Sequence, residues 1–262
     1  MPTEQTMRLS VFLGVLLLVA LWELKAPRRP LLDNKMRRWF TNLSLILIDT
    51  AVLRLVFPIF PVALARIAET RGWGIFNTFH MSPWLKVLLT LLILDFIIYL
   101  QHLLFHHIPL LWRLHRMHHT DLDLDVTSGN RFHPLEMVIS MLIKMAAVVI
   151  LGAPAQAVLA FEVILNASAM FSHGNIKLPE TLDRLLRLFL VTPDMHRVHH
   201  STIVRETNSN FGFNLPWWDR ICGKYRAQPE KGHLDMSIGL KEYRDPKKLT
   251  LLRLLIQPFS RP

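Results

Sequence analysis

Histidine spacing constrains this chain more than any other feature of its sequence. His115-Arg116-Met117-His118-His119 and His196-Arg197-Val198-His199-His200 are two copies of the pattern H-R-x-H-H, and His102 and His106 stand four residues apart upstream of the first copy. These three strings hold eight of the thirteen histidines. On a helix, residues three and four apart share a face, so each string turns two or three imidazoles the same way. Neither a solvated surface nor an apolar core has a use for that order. It predicts a polynuclear metal site built from helix faces, and it obliges segments about eighty residues apart to meet.

The chemistry narrows further. Neutral imidazole ligates zinc, iron and copper. A single histidine on an apolar face is ordinarily a satisfied core residue. His80 and His233 read that way, and His107 points off the face shared by His102 and His106. A buried cluster of imidazoles without a cation would leave ring nitrogens unmatched, at roughly 1–3 kcal/mol each. With His133 and His173 added to the strings, nine or ten imidazoles exceed one tetrahedral zinc. Two metals with four or five nitrogens each fit the count. Acids are sparse beside the strings, which disfavours a carboxylate-bridged helix-bundle di-iron site, and no H-E-x-x-H string is present. Cys222 is the only cysteine, which excludes an internal disulfide and a thiolate zinc site. Asp194, Asp219 and Glu136 are the acids to consider as partners that orient a ligand through its other ring N–H. Their ordinary alternatives are a helix cap, a salt bridge with Arg220 or Arg197, and a capping acid. The ordinary role is preferred for Asp219 and Glu136, and neither is preferred for Asp194.

The rest of the chain is apolar enough to belong in a bilayer. Apolar residues make up 51% and charged residues only 19%, the mean hydropathy is +0.29, and the uncharged runs are long. The net charge of +10 could suit nucleic acid, but the positive residues cluster beside apolar runs. That suits anionic headgroups and the positive-inside rule. Leu9 to Trp22 is uncharged and has no small-x-small cleavage site after it, so it is expected to be a retained helix with Trp22 at the interface. The basic link that follows (Lys25, Arg28, Arg29, Lys35, Arg37, Arg38) is assigned to the cytoplasmic side.

Trp39 to Ala65 is a second span, kinked or ended by Pro58 and Pro61. Its Asp49 and Arg54 form either a polar wall near a substrate path or, preferred, a structural pair near an interface. Arg66 to Ser82 reads as a loop with an interfacial piece. Trp84 to Trp112 spans and then leaves the bilayer where the histidines begin, with a break at Pro109. Asp121 to Gly129 reads as a polar loop. Val138 to Ser172, split by Gly152-Ala153-Pro154, reads as two helices that enter and return, keeping His133 and His173 beside the three strings. Leu182 to Leu190 is amphipathic and expected on the membrane surface. Thr192-Pro193-Asp194 reads as a helix start, and Leu249 to Ile256 as a short amphipathic helix. The expected fold is all-α: an integral membrane bundle of about four to five helices, with a cytosolic helical cap carrying the histidines.

The ordered strings, H102-x3-H106, H115-x2-H118-H119 and H196-x2-H199-H200, resemble the histidine boxes of the fatty acid hydroxylase/sterol desaturase superfamily. Asp95-x3-Tyr99, Leu111-Trp112, Arg131-x-His133-Pro134-x-Glu136, His173-x-Asn175, Asn210-Phe211-Gly212 and Trp218-Asp219-Arg220 are similar to its other landmarks. The likeness covers Leu92 to Arg226, about half of the chain. Leu103 departs from it, standing where the superfamily often has Arg.

The resemblance implies a membrane-embedded non-haem di-iron oxygenase. Its ligands would be His102, His106, His115, His118, His119, His173, His196, His199 and His200, with His133 as a tenth. Such an enzyme uses O2 and two external electrons to hydroxylate or desaturate a lipid C–H position. The lipid would arrive laterally from the bilayer, and an acidic ferredoxin or b-type cytochrome with its reductase would dock on the basic cytoplasmic face. Sterol, fatty acyl, sphingolipid, alkylglycerol and carotenoid substrates fit equally. A membrane zinc-dependent lipid hydrolase would need fewer histidines, and a metal transporter would place its ligands at the bilayer midplane rather than after the spans. The chain then divides into N-terminal membrane helices and a basic linker (1–83), a catalytic domain with a membrane hairpin at 138–172 (84–230), and a tail (231–262).

Overall fold

Polar caps and first-turn prolines, both readable in the sequence, start most of the long helices. The computed structural model describes residues 3–260. Thr3 caps α1 (Glu4–Lys25), Asn34 caps α2 (Lys35–Val56) and Ser82 caps α5 (Pro83–His107), each accepting a hydrogen bond from a first-turn amide. Proline occupies the first turn of α3 (Pro61–Arg71), α5, α6 (Pro109–His119), α7 (Pro134–Leu151) and α10 (Pro193–His199), where its missing N–H costs nothing. A short α4 (Ile75–Thr78), α8 (Ala155–His173) and α9 (Glu180–Leu186) complete the framework. Among the described residues there is no β-strand, only two isolated bridges.

Five of these helical segments are long and apolar enough to cross a membrane. At 22 residues, α2 is about 33 Å long by its 1.5 Å rise, close to a hydrocarbon core of about 30 Å. The protein is an integral membrane helical bundle. Leu17, Leu18, Leu47, Leu55, Leu142 and Ile150 stay exposed on its flanks, as lipid-facing side chains should. Inside, Leu94 and Ile98 of α5 pack with Val148 of α7 and Phe161 of α8.

The bundle has two unlike ends. At one, the α7–α8 turn receives the segment between α3 and α4. Gly152 ends α7 at φ +64, and a Cβ on Gly74 would lie 2.1 Å from the Gly152 amide nitrogen, so only paired glycines allow the approach. At the other end, Glu23 of α1 accepts hydrogen bonds from the amides of Val126 and Asn175 at 2.7 and 2.9 Å. Arg38 of α2 there spans Asp121 at 2.8 Å and Asp125 at 2.5 Å, and also donates to the Asp123 carbonyl and Ser128. Burial would raise Asp121, but Arg38 and Arg131 beside it hold its carboxyl well below the ordinary range.

Several expectations need correction. The polar loop at Asp121–Gly129 is buried at all nine residues: Asp121, Asp125 and Ser128 answer the guanidinium of Arg38, while Leu122, Leu124 and Val126 enter apolar clusters. Arg66 to Ser82 is mostly helical, since α3 runs on to Arg71 before Gly72 ends it at φ +67. Asp49 and Arg54 form no ion pair; Asp49 is buried and Arg54 is exposed. The amphipathic segment is helical only over Glu180–Leu186, with Leu185, Leu188 and Phe189 exposed. The C-terminal helix covers Leu251–Ile256.

Truncating one partner of a buried ion cluster leaves the others uncompensated. Arg38→Ala should therefore destabilise the protein by roughly 3–5 kcal/mol, seen as a lower unfolding midpoint in detergent. Arg38→Lys should recover little of it, because an ammonium cannot bridge two carboxylates as a planar fork does. An unchanged midpoint in Arg38→Ala would show that the cluster does not hold the connector.

Candidate metal centre

Nine imidazoles gather at the Arg38 end of the bundle, in two groups. His102, His106, His115, His119 and His199 form one, and His118, His173, His196 and His200 the other; within each, one ring nitrogen per residue lies within 4.8 Å of all the rest. Helix register does the sorting. On α6, His115 and His119 are four apart and face the first group, while His118 faces the second. On α10 the division is reversed: His196 and the cap residue His200 face the second group and His199 the first. The end of α5 adds two rings to the first group, and the last residue of α8 adds one to the second.

The other ring nitrogens decide the chemistry. Nδ1 of His102 meets the Phe211 carbonyl at 2.8 Å, that of His199 the Ser209 carbonyl at 2.8 Å, that of His118 the Arg131 carbonyl at 3.2 Å and that of His173 the Ala169 carbonyl at 2.7 Å. A carbonyl only accepts, so each Nδ1 carries its proton and each neutral ring presents a bare Nε2. These bare atoms face one another: His102 and His199 at 3.1 Å, His118 and His173 at 3.1 Å. Protonation is no escape. Burial, with neighbouring imidazoles, pushes His118, His119, His196, His199 and His200 well below the ordinary imidazole value, and burial pushes His115 down to about 3. Two lone pairs aimed at each other need a cation between them. Donors about 2.0–2.1 Å from one cation at near-right angles lie about 3 Å apart, and the observed separations match. The donor set fits two metal ions, one with five nitrogens and one with four.

Glu136 orients His115 directly, its Oε1 accepting from Nδ1 at 2.7 Å, and it is also the acid in the first turn of α7. Asp219 acts one step back. It accepts from the amides of Phe211 and Gly212 at 2.8 and 2.9 Å, fixing the loop whose Phe211 carbonyl holds His102. Burial raises its carboxyl to about 6, against those two bonds. Asp194 touches none of the nine rings and pairs with Arg28 at 3.0 Å and with Arg197. His133 is a correction: it stands outside both groups. Its Nδ1 caps α7 by accepting from the Leu135 amide at 3.2 Å, and its Nε2 meets the Leu255 carbonyl at 3.1 Å. His80, His107 and His233 are also outside the groups.

Sequence reasoning missed two kinds of partner. The four carbonyls that hold Nδ1 protons belong to backbone, which any residue supplies. Phe132, stacked on His118 at 4.7 Å and 10°, carried no spacing signal.

A cavity of about 280 Å³ runs from between α2, α5, α7 and α8 to His102 and His115. A second, of about 340 Å³, reaches His106 and Trp112 between α6 and the segments around Thr207 and Tyr243.

A family profile described as fatty acid hydroxylase matches residues 87–224. The chain is 28% identical over 257 residues to an ornithine lipid hydroxylase of Rhizobium tropici, covering 96% of this chain and 75% of that protein. It is 28% identical over 163 residues to an alkylglycerol monooxygenase of Homo sapiens, 61% of this chain and 35% of that one. It is 27% identical over 188 residues to a cholesterol 25-hydroxylase of Rattus norvegicus, 71% of this chain and 61% of that one. No solved structure matches.

Removing one donor from each group tests the assignment. His199→Ala and His118→Ala should each lower bound metal by about one of two equivalents, measured by elemental analysis on protein that still folds. Glu136→Leu should weaken metal affinity about 10–100-fold through His115. The metal-free protein should also depend on pH. His115 lies below the unfolded imidazole value of about 6.5, so its contribution to stability is complete above pH 6.5 and is lost as the pH falls toward 3. The unfolding midpoint of metal-free protein in detergent should fall over that window, and a flat profile would contradict the buried, neutral state.

Proposed function

The chain belongs to the fatty acid hydroxylase family, and on that premise we propose that it hydroxylates a C–H position of a membrane lipid, using two non-haem iron ions held by the nine histidines. The observation that carries this reading is the pair of histidine groups with their bare Nε2 atoms turned inward. An unactivated aliphatic carbon has no acidic proton for a general base to remove, so the chemistry needs an oxidant. When bound, the irons would supply it by activating O2. The balance is R–H + O2 + two electrons + two protons giving R–OH + H2O.

The chain's own residues do the placing. His102 and His115 border the cavity that opens among the membrane helices, so a lipid taken laterally from the bilayer would bring a chain carbon beside the five-nitrogen group. Glu136 and the Phe211 carbonyl hold those two rings in one orientation. Ile98, Phe105, Leu165 and Phe213 supply apolar wall that keeps bulk water from the reacting carbon. Electrons would come from an acidic ferredoxin or b-type cytochrome with its reductase, docking at the basic histidine-bearing end, which this reading places on the cytoplasmic side. The relatives named for ornithine lipid, alkylglycerol and cholesterol support a lipid as the substrate class.

Iron-loaded protein in nanodiscs, given a reductase, a ferredoxin and a lipid extract under 18O2, should consume O2 and place one labelled oxygen in a lipid. His118→Ala and His199→Ala should reduce turnover to background. Lipid hydrolysis with bound zinc and no O2 consumption would overturn the reading; O2 consumption with a new double bond and no label would make it a desaturase.

A further inference from the structure

The cavity that reaches His102 and His115 is not lined as a hydrocarbon channel. Ile46, Asp49, Thr50 and Leu53 face it from α2 at helical spacings of three, four and seven, and Glu136, Ser140 and Lys144 face it from one stripe of α7. Ionisable groups at such depth are expensive and ordinarily satisfy one another. Most do here. Glu162 of α8 accepts from Arg8 of α1 and from Lys144 at 2.6 Å each, a staple of three helices. Glu136 is engaged with His115.

Asp49 is the exception. It is only 5% exposed, its Oδ1 has no hydrogen-bond partner, and among the described residues it forms no ion pair. Other acceptors on its wall lack partners as well: the Glu136 Oε2 and the Gln101 and Asn166 side-chain oxygens, against one unpartnered donor, Asn130 Nδ2. Amide oxygens and nitrogens can be interchanged, but the two carboxylate oxygens cannot. A neutral hydroxyl would give Asp49 a hydrogen bond but nothing that favours its ionised form in a low dielectric. A protonated amine answers both needs, as a donor and as a counter-ion.

We propose that the lipid taken into this cavity carries an amine, seated as an ammonium group against Asp49. This rests on reading the cavity as the substrate's. It makes Asp49 a specificity-determining residue for the reaction. It also puts the oxidised carbon toward the amine-bearing part of the lipid, since His102 and His115 border the same space. A lipid whose only polar group is a hydroxyl would give Asp49 a hydrogen bond but no counter-ion.

The test is binding, independent of turnover. Iron-loaded protein in nanodiscs is titrated with octadecylamine, its N-acetyl derivative and octadecanol, each competing with a fluorescent lipid. The amine should bind at least about tenfold tighter than either neutral probe. In Asp49→Asn that preference should collapse to within about twofold, with iron content unchanged. Equal binding of the three probes to the unaltered protein overturns the proposal without any variant, so a misfolded Asp49→Asn leaves the question decided. A preference that survives Asp49→Asn in folded protein overturns the role of Asp49. Equal binding alongside O2-dependent hydroxylation would sink this inference and leave the proposed function standing. Amine-selective binding with no O2-dependent oxidation of any lipid would do the reverse.

Discussion

The structure depends on a repulsion that the protein chain cannot resolve by itself. Bare imidazole lone pairs face one another at 3.1 Å inside both histidine groups, and burial denies the rings the proton that would turn these contacts into hydrogen bonds. Such an arrangement is tolerable only around a cation. The rest of the fold makes sense as scaffolding that holds nine rings in this otherwise unfavourable pose. Backbone carbonyls fix four Nδ1 protons, Glu136 fixes a fifth ring, and Asp219 fixes the loop that supplies one of the carbonyls.

Those tethers come from segments far apart in the chain, so the scaffold has to be rigid where they meet. Two charge clusters, one buried and one half-buried, provide this at the same end of the bundle. Arg38 draws the connector after α6 onto α2, and Asp194 takes Arg28 and Arg197. Glu23 adds a joint between α1, the connector and Asn175, two residues past α8. The long helices stay apolar where they meet lipid, and the polar atoms concentrate at the end that carries the chemistry. The cavity breaks that division, because it carries carboxylates and amides down among the spans. That intrusion separates a path shaped for a polar lipid from a purely hydrocarbon one.

Much of this was legible in the residues. The histidine spacing marked eight of the nine rings as a metal site, and His173 followed from the resemblance and the hairpin geometry. Thr192-Pro193 and Gly152 located helix ends to within a few residues. Other features were hidden for definite reasons. Asp121, Asp123 and Asp125 read only as a polar loop, because acids usually stay solvated, and the ion pair that Asp121 makes once buried comes from Arg38, 83 residues away. His133 has a ligand's composition and neighbours, yet its place at the start of α7 turns its ring to the Leu135 amide and the Leu255 carbonyl. Glu136, three residues on, reaches the site instead.

Local periodicity by itself therefore determined an all-α membrane protein with imidazoles grouped on helix faces, because hydropathy and side-chain direction are properties of short stretches. It read each H-R-x-H-H string as turning its rings one way, whereas the structure divides both strings between the two groups. Only the tertiary structure decided how those rings divide into five and four, which acid orients which ring, and which carboxylate is left unmatched in the cavity. Each of those depends on distances between helices far apart in sequence, and no local pattern encodes them.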